Sequence, residues 1–343
     1  SRTQTLEAEV GETVTVTPAA IAGYAFDEDN ENNVLSGTVA ADDSLVLKLY
    51  YTKSDITFET DTPAAFEMEA GVKQTLEVTV KEGDTVVSEG ITYSSEDEAI
   101  AKVSATGEVT AVKGGTVTVT VSYAGASKEF EVTVWDGYIA EEADWWAIYE
   151  NETTLAGRYK LTTDVTLTKV LANNTEDFGE NPHTLHHTFT GVIDGDGYTL
   201  TYNSGAADGS KLFDAFNGRM ENIVLNAGQG FYWGAPLACW MTGATLTDVT
   251  LTAAFIRNNS YRFADAFLEL DGMGAFGVFV ENCTIENCTV NVSFSGDALG
   301  AVSYYSGIAY QLTNSTVTNV TVNSTAEIGL YATEAGTNTV TGS

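Results

Sequence analysis

The chain has 343 residues, of which 43% are hydrophobic, and its 48 acidic and 15 basic residues give a formal net charge of -33. This apolar content excludes an acidic disordered tail, and the length predicts about two or three domains. The sequence has no basic stripe to meet a phosphate backbone and no apolar run long enough to cross a bilayer. We therefore expect neither nucleic-acid binding nor membrane insertion in this fragment.

The first 54 residues alternate apolar and polar side chains, most clearly over 10–16 and 45–51, as strands of a half-buried sheet do. This segment contains Gly23-Tyr24, Ser36-Gly37-Thr38-Val39 and Leu49-Tyr50-Tyr51-Thr52-Lys53 in that order. It resembles the mucin-binding-protein repeats of Gram-positive surface proteins. The resemblance implies a small, mucin-binding-like β module over residues 1–54.

Residues 55–136 hold short runs of Val, Thr, Ile and Leu between turns that contain Gly and Ser, which predicts a two-sheet β-sandwich. The order of Ser94-Ser95-Glu96-Asp97, Ile100-Ala101-Lys102-Val103, Gly107-Glu108-Val109 and Gly114-Gly115-Thr116-Val117 resembles the group 2 bacterial Ig-like domain. The resemblance implies a spacer module of an extracellular protein. Because the segment has no cysteine pair, packing alone must hold its sheets together.

The period of the apolar residues changes after Trp135-Asp136-Gly137, which we interpret as a hinge. Between residues 141 and 149, Ala143, Trp146 and Ala147 fall on one face of an amphipathic helix. We predict that this helix caps the open end of the repeats that follow. Alternatively, Trp145 and Trp146 would stack on a sugar.

An eight-residue pattern occurs four times, at 218–225, 244–251, 283–290 and 315–322. Each copy reads apolar, polar, Asn or Asp, apolar, polar, apolar, and such recurrence is typical of a solenoid. Stacking in register would form two inward columns and one polar corner ladder. These are Met220, Leu246, Ile285 and Val317; Leu225, Leu251, Val290 and Val322; and Asn222, Asp248, Asn287 and Asn319.

These copies are preceded by the continuous stretch Phe189-Thr190-Gly191-Val192-Ile193-Asp194-Gly195-Asp196-Gly197-Tyr198-Thr199-Leu200. Together they resemble the GLUG-like, pectate-lyase-like right-handed parallel β-helix domains of bacterial surface proteins, which implies such a domain over 137–343. The predicted fold class is therefore all-β. A right-handed parallel β-helix with an N-terminal helix cap follows an Ig-like β-sandwich and a small N-terminal β module.

The predicted ligand site lies around the long interval between the second and third copies. Aromatic rings beside Arg and Asn suit a neutral glycan, whose CH faces stack on the rings while its hydroxyls bond the polar groups. The predicted ligand-binding residues are Tyr232, Trp233, Trp240, Arg257, Tyr261 and Arg262. In the alternative interpretation, the segment folds over the solenoid wall and buries its own aromatic side chains.

Enzymatic activity is left open by the sequence, with its absence favoured. A polysaccharide hydrolase needs two facing carboxylates, and a lyase needs cations against a polyuronate. Asp265, Glu269 and Asp271 are the candidate catalytic residues of a hydrolase, but an acidic chain produces such groupings by chance. We assign no catalytic residue.

Two groups of residues are weak metal candidates, and no cofactor is expected apart from calcium as an alternative. Asp194 and Asp196 would bind calcium, although the Asp-Gly-Asp-Gly run is equally typical of a tight turn. His183, His186 and His187 would bind zinc or copper, although a surface loop is the simpler interpretation. The cysteines, Cys239, Cys283 and Cys288, are predicted to be buried fillers.

The predicted function is that of a Gram-positive adhesin or glycan-binding protein, which is secreted and attached to the cell surface or wall. Its expected partner is a host or dietary glycan or glycoprotein, and its oligomeric state is left open. The alternatives are a carbohydrate-active enzyme on the β-helix and a purely structural surface stalk. We expect the chain to be a piece of a longer secreted protein whose signal and anchor lie outside it.

Overall fold

The computed structural model describes residues 3–5, 7–168, 188–202, 211–231, 235–256, 272–295 and 304–343. The chain divides into two compact units, Ser1–Val134 and Trp135–Ser343. The fold is all-β, since only two short helices occur in the described ranges. Neither helix is long and apolar enough to span a membrane.

The first unit consists of short β-strands, most of which pair in antiparallel fashion. They are β1 (Thr13–Thr15), β2 (Tyr24–Phe26), β3 (Ser36–Thr38), β4 (Tyr51–Lys53), β5 (Ile56–Thr60), β6 (Ala65–Glu69), β7 (Lys73–Thr75), β8 (Val78–Glu82), β9 (Thr85–Val87), β10 (Thr92–Ser95), β11 (Ala101–Val103), β12 (Glu108–Ala111), β13 (Gly115–Tyr123) and β14 (Ala126–Trp135), whose last residue begins the second unit.

The N-terminal strands are shorter than the sequence predicts. β1 pairs with β3, and β2 pairs with β4, so the module contains two small two-stranded sheets. The strands predicted over 10–16 and 45–51 are reduced to β1 and to the start of β4. Val10 is 67% exposed and Val46 is 62% exposed, so these alternating residues do not face a core.

The strands from β5 to β14 form three sheets, in the orders β10-β13-β14-β6, β11-β12-β7 and β5-β8-β9. The long hairpin of β13 and β14 supplies the centre of the core, because Val119, Val121, Phe130 and Val132 alternate with outward polar residues and are fully buried. Leu76 lies between β7 and β8 and is buried in the same core.

Glu82, at the end of β8, joins the N-terminal module to the strands that follow. Its carboxylate accepts a hydrogen bond from the Tyr123 hydroxyl at 2.8 Å. The Ser54 side chain, and after it Tyr123 and the Gly23 backbone, lower the pKa of Glu82, and the bond to Glu82 raises the pKa of Tyr123. The charged form of Glu82 is therefore the form that stabilises this unit.

We expect wild-type protein to be more stable than Glu82→Gln at neutral pH. Because the folded pKa of Glu82 is depressed, this advantage is fully present above its ordinary value of 4.5 and is lost as the pH falls through the lowered pKa. Thermal unfolding of both proteins across this range measures the difference. A difference that does not change with pH would contradict the assignment.

The second unit contains two short helices, which follow its first strand, and a series of parallel strands. The helices are α1 (Glu142–Ala147) and α2 (Glu152–Leu155). The strands are β15 (Gly137–Ile139), β16 (Arg158–Leu161), β17 (Val165–Leu167), β18 (Thr188–Phe189), β19 (Val192–Asp194), β20 (Thr199–Tyr202), β21 (Phe213–Phe216), β22 (Arg219–Phe231), β23 (Ala238–Thr242), β24 (Thr245–Ile256), β25 (Gly272–Gly274), β26 (Gly277–Glu281), β27 (Thr284–Glu286), β28 (Thr289–Ser295), β29 (Tyr304–Thr313), β30 (Thr316–Thr318), β31 (Thr321–Ser324), β32 (Gly329–Ala335) and β33 (Thr339–Thr341).

The strands of this unit form two parallel sheets. The first follows the order β15-β16-β19-β22-β24-β27-β30-β33, with β17, β20, β28 and β31 paired beside it. The second follows β18-β21-β23-β26-β29-β25, with β32 against β29. From β22 onward the chain passes alternately through the first and the second sheet. We call one passage through the first sheet, together with the passage through the second sheet that follows it, a coil.

The two predicted inward columns are confirmed by the register of the first sheet. Met220 pairs with Leu246, Leu246 with Ile285, and Ile285 with Val317. The second column is likewise formed by Leu225, Leu251, Val290 and Val322. The first column is fully buried, and one apolar core extends along the whole unit. Each coil therefore buries its apolar side chains against those of its neighbours.

The predicted helix over 141–149 is present but shorter, as α1, and α2 follows it. Trp145 of α1 is 0% exposed and its ring lies 5.8 Å from that of Phe213. Trp146 packs against the same core and donates from Nε1 to Glu142 at 3.1 Å. Trp145 is therefore a packed core residue, and the helix contributes to the N-terminal end of the core.

Candidate functional site

The predicted corner residues share one backbone conformation. Asn222, Asp248, Asn287 and Asn319 have φ of 52°, 54°, 54° and 53°. This left-handed region is unfavourable for most L residues and is tolerated best by Gly, Asn and Asp. The Asn319 amide also donates to Oδ1 of Asn287 at 3.2 Å, so part of the predicted ladder is joined by side-chain hydrogen bonds.

A second left-handed corner, which the sequence did not reveal, lies five positions ahead of the first in three coils. It is formed there by Gly243, Asn282 and Asn314, with φ of 67°, 54° and 48°, and it is continued by Gly336, with φ of 65°, six positions ahead of the left-handed Gly342. The signal in the sequence is an Asn or Gly three positions before an inward residue such as Leu246 or Ile285. The two corners enclose the short strands β27 and β30 and fix the width of this part of the sheet.

Between β24 and β33 the outer face of the first sheet has an almost uniform composition. Fourteen of its outward positions carry eleven Thr, two Asn and one Glu; Ala254 and Ser293 continue the outward rows of β24 and β28, and the exposed corner residue Asp248 adds one further charge between Thr247 and Thr250. We call this surface the threonine face; its members are Thr245, Thr247, Thr250, Thr252, Thr284, Glu286, Thr289, Asn291, Thr316, Thr318, Thr321, Asn323, Thr339 and Thr341.

Part of the threonine face is ordered by side-chain hydrogen bonds that run from coil to coil. The Asn323 amide donates to Oδ1 of Asn291 at 2.8 Å, and the Asn291 amide donates to Oγ1 of Thr252 at 3.4 Å. The hydroxyls of Thr318 and Thr341 are 3.4 Å apart. The face thus presents donors and acceptors at positions set by the strand register.

Trp240 is the one predicted ligand-binding residue within the described ranges, and it stands in a row of aromatic rings. Its ring lies 6.1 Å from that of Phe279 at an interplanar angle of 21°. The ring of Tyr310, in β29, meets Phe279 edge-on at 6.4 Å. We call Trp240, Phe279 and Tyr310 the aromatic row.

The aromatic row lies outside the core of the unit. All three residues are partly exposed, and none belongs to the core cluster or packs against it. Their neighbours Met241 and Val280 do belong to that cluster. Phe255, by contrast, precedes the long interval and is buried, stacked on Phe294 at 5.6 Å. The aromatic row therefore occupies the outer side of the second sheet.

The remaining site predictions fall outside the described residues and stay predictions. They are the ligand-binding residues Tyr232, Trp233, Arg257, Tyr261 and Arg262, the catalytic candidates Asp265, Glu269 and Asp271, and the metal candidates His183, His186 and His187.

Asp194 and Asp196 lie in a turn between β19 and β20, where Asp196 and Gly197 have φ of 48° and 83°. Asp194 Oδ1 accepts from the Asp196 backbone at 2.9 Å and from the Asn222 amide at 3.3 Å. Asp196 lies 3.4 Å from the Lys160 ammonium. Within the described ranges, no group of three or more His, Cys, Asp and Glu is arranged to hold a metal ion.

Several basic residues of this unit are paired with carboxylates. Lys211 is buried and lies 2.6 Å from Asp214, and Arg219 contacts Glu221. The Arg158 guanidinium lies over the Trp135 ring, 5.2 Å from its centroid. Lys211 and Arg219 are therefore each neutralised by a neighbouring carboxylate.

The three cysteines are buried and free, as predicted. Burial raises the pKa of Cys283 and of Cys288 to about 11, and it also raises the pKa of Cys239 against the opposing charge of Lys211. Because the thiolate is the reactive form, these thiols serve as core fillers.

Comparison with known proteins identifies one module of the chain. Residues 56–135 match the family described as bacterial Ig-like domain (group 2), which confirms that predicted resemblance. A stretch of 53 residues is 49% identical to an α-L-arabinofuranosidase of Bifidobacterium longum subsp. longum; it covers 15% of this chain and 5% of that protein. The crystal structure of domains 4 and 5 of the S-layer protein SbsC shares 19% identity over 35% of this chain and 82% of that chain, but its TM-score of 0.22 is too low to support a common fold.

Proposed function

We propose that this chain is the glycan-binding part of a Gram-positive extracellular surface protein. The Ig-like domain, 55–136, acts as a spacer after a small mucin-binding-like module, 1–54. Residues 137–343 form a capped right-handed parallel β-helix that carries the binding site. The group 2 Ig-like match and the similarity to an arabinofuranosidase over a short stretch both support a carbohydrate-related role outside the cell.

The observation that carries the proposal is the aromatic row. Aromatic side chains that stand apart from the core, on neighbouring coils, offer apolar ring surface for the CH groups of a sugar. Trp240 is the member that belongs to the predicted site. The net charge of -33 favours a neutral glycan over a polyanion.

Trp240→Ala should weaken binding of soluble neutral oligosaccharides by about tenfold or more, since a buried aromatic contact is worth about 1–2 kcal/mol or more in such sites. Calorimetric titration with arabino- and xylo-oligosaccharides measures the loss. Tyr93→Ala, which removes a partly exposed ring from the Ig-like spacer, is the matched control. Unchanged affinity in Trp240→Ala would place the binding elsewhere.

The similarity to an arabinofuranosidase favours one alternative, a carbohydrate-active enzyme that uses Asp265, Glu269 or Asp271. Release of reducing sugars or unsaturated products, abolished by Asp265→Asn or Glu269→Gln, would support it. Glycan binding without product would support the adhesin. The absence of both glycan binding and product would support a purely structural stalk.

A further inference from the structure

The threonine face differs from the rest of the chain in its charge. Charged residues make up 18% of the sequence, with a strong acidic excess, yet Glu286 is the one charged member among the fourteen positions of the face. Exposed strand positions are where a soluble protein usually places its charges. A nearly neutral surface in so acidic a chain therefore calls for a reason beyond solubility.

The composition of the face disfavours charged ligands. The face has no Arg or Lys to pair with an anion, and a lone carboxylate does not make a cation site. Protein interfaces are enriched in aromatic residues, Met and Arg, none of which occurs on the face. Hydroxyls and amides both donate and accept hydrogen bonds, which matches a neutral ligand that carries many hydroxyl groups.

The register makes these groups periodic. Thr284, Thr316 and Thr339 are successive partners in parallel pairing, and so are Thr250, Thr289 and Thr321. Neighbouring strands lie about 4.8 Å apart, and alternate residues of one strand lie about 6.6 Å apart. The face is therefore a two-dimensional array of hydroxyls on a rigid sheet, suited to an extended ligand with repeating hydroxyls.

We propose that the threonine face binds the surface of an extended neutral polysaccharide. The proposal rests on the proposed glycan binding and adds a second contact surface to it. The aromatic row takes short soluble chains, whereas the threonine face makes many weak hydrogen bonds to an ordered, insoluble polymer. The Thr methyl groups contact sugar CH groups while the hydroxyls exchange hydrogen bonds with the polymer.

The test is a depletion assay of the full chain on insoluble neutral arabinoxylan and on cellulose. Thr284→Val/Thr316→Val removes two hydroxyls paired in register and keeps the shape and the strand preference of the side chains. The matched control is Thr116→Val/Thr133→Val, a cross-strand threonine pair of the Ig-like domain whose hydroxyls are 3.2 Å apart. Circular dichroism verifies that each variant is folded.

We expect the face variant to bind the insoluble polymers about thirtyfold more weakly than wild type, since two lost hydrogen bonds at about 1 kcal/mol each amount to about 2 kcal/mol, and the control to bind as wild type does. Wild-type binding by the face variant, or an equal loss in the control, would overturn the proposal. If soluble oligosaccharides still bind through Trp240, the proposed function survives that failure. If wild type binds neither soluble nor insoluble glycan, both proposals fall.

Discussion

Trp145→Ala is expected to lower the free energy of unfolding of the second unit by about 3–5 kcal/mol, the usual cost of truncating a buried aromatic side chain. Trp145 is 0% exposed, and its ring packs against Phe213 at the N-terminal end of the core. The substitution leaves a cavity at that end of the core. Chemical denaturation of the full chain followed by circular dichroism measures the loss.

Trp146→Ala is the matched control for that measurement. The adjacent indole is partly exposed, and its principal polar contact is the bond from Nε1 to Glu142. A partly exposed ring contributes less apolar burial, so we expect a loss of about 1–2 kcal/mol. If Trp146→Ala cost as much as Trp145→Ala, the assignment of Trp145 as the anchor of the cap would be wrong.

Asn287→Val is expected to lower the free energy of unfolding of the second unit by about 2–3 kcal/mol, which is the second large effect. The residue has a φ of 54°, where a β-branched side chain is strongly disfavoured, by roughly 1–2 kcal/mol. The variant also loses the acceptor for the Asn319 amide, worth about 1 kcal/mol. Thermal unfolding of the second unit reports the combined effect.

Two control variants separate the cost of backbone strain from the cost of the lost hydrogen bond. Asn287→Gly keeps the left-handed backbone without strain and loses only the amide contact, so it should cost about 1 kcal/mol. Asn291→Val loses the contacts to Asn323 and to Thr252 at a strand position that has no left-handed backbone. If Asn287→Val were no more destabilising than Asn291→Val, the corner would not depend on the Asn backbone preference.

The repetitive part of the fold could be predicted because its cause is local. The inward residues of each copy stand at fixed distances from an Asn or Asp, so the columns from Met220 to Val317 followed from the pattern. The second corner escaped notice because Gly243 and Asn282 differ in type although they share a backbone conformation. The N-terminal strands were overestimated because Val10 and Val46 alternate with polar residues without facing a core.

The candidate site was harder to predict, because it depends on contacts between coils. Trp240 was selected from its neighbours in sequence, yet its ring partners in the structure come from later coils. Phe279 meets Trp240, and Tyr310 meets Phe279, only because the register of the second sheet brings β23, β26 and β29 together. The lengths of the intervening segments differ, so the sequence could not specify which rings would align. The threonine face could likewise not be predicted, since threonine is common in any single strand and the face arises only when several strands align.

In three coils the two corners stand five residues apart, whereas the lengths of chain that lead from the first sheet to the second are unequal. An insertion or deletion in such a length should leave the corner geometry and the paired columns of every coil intact. Variation among descendants of this gene should therefore accumulate in these connecting lengths, while the coil itself stays fixed. Engineers could graft foreign peptides into them and expect the host domain to keep its fold.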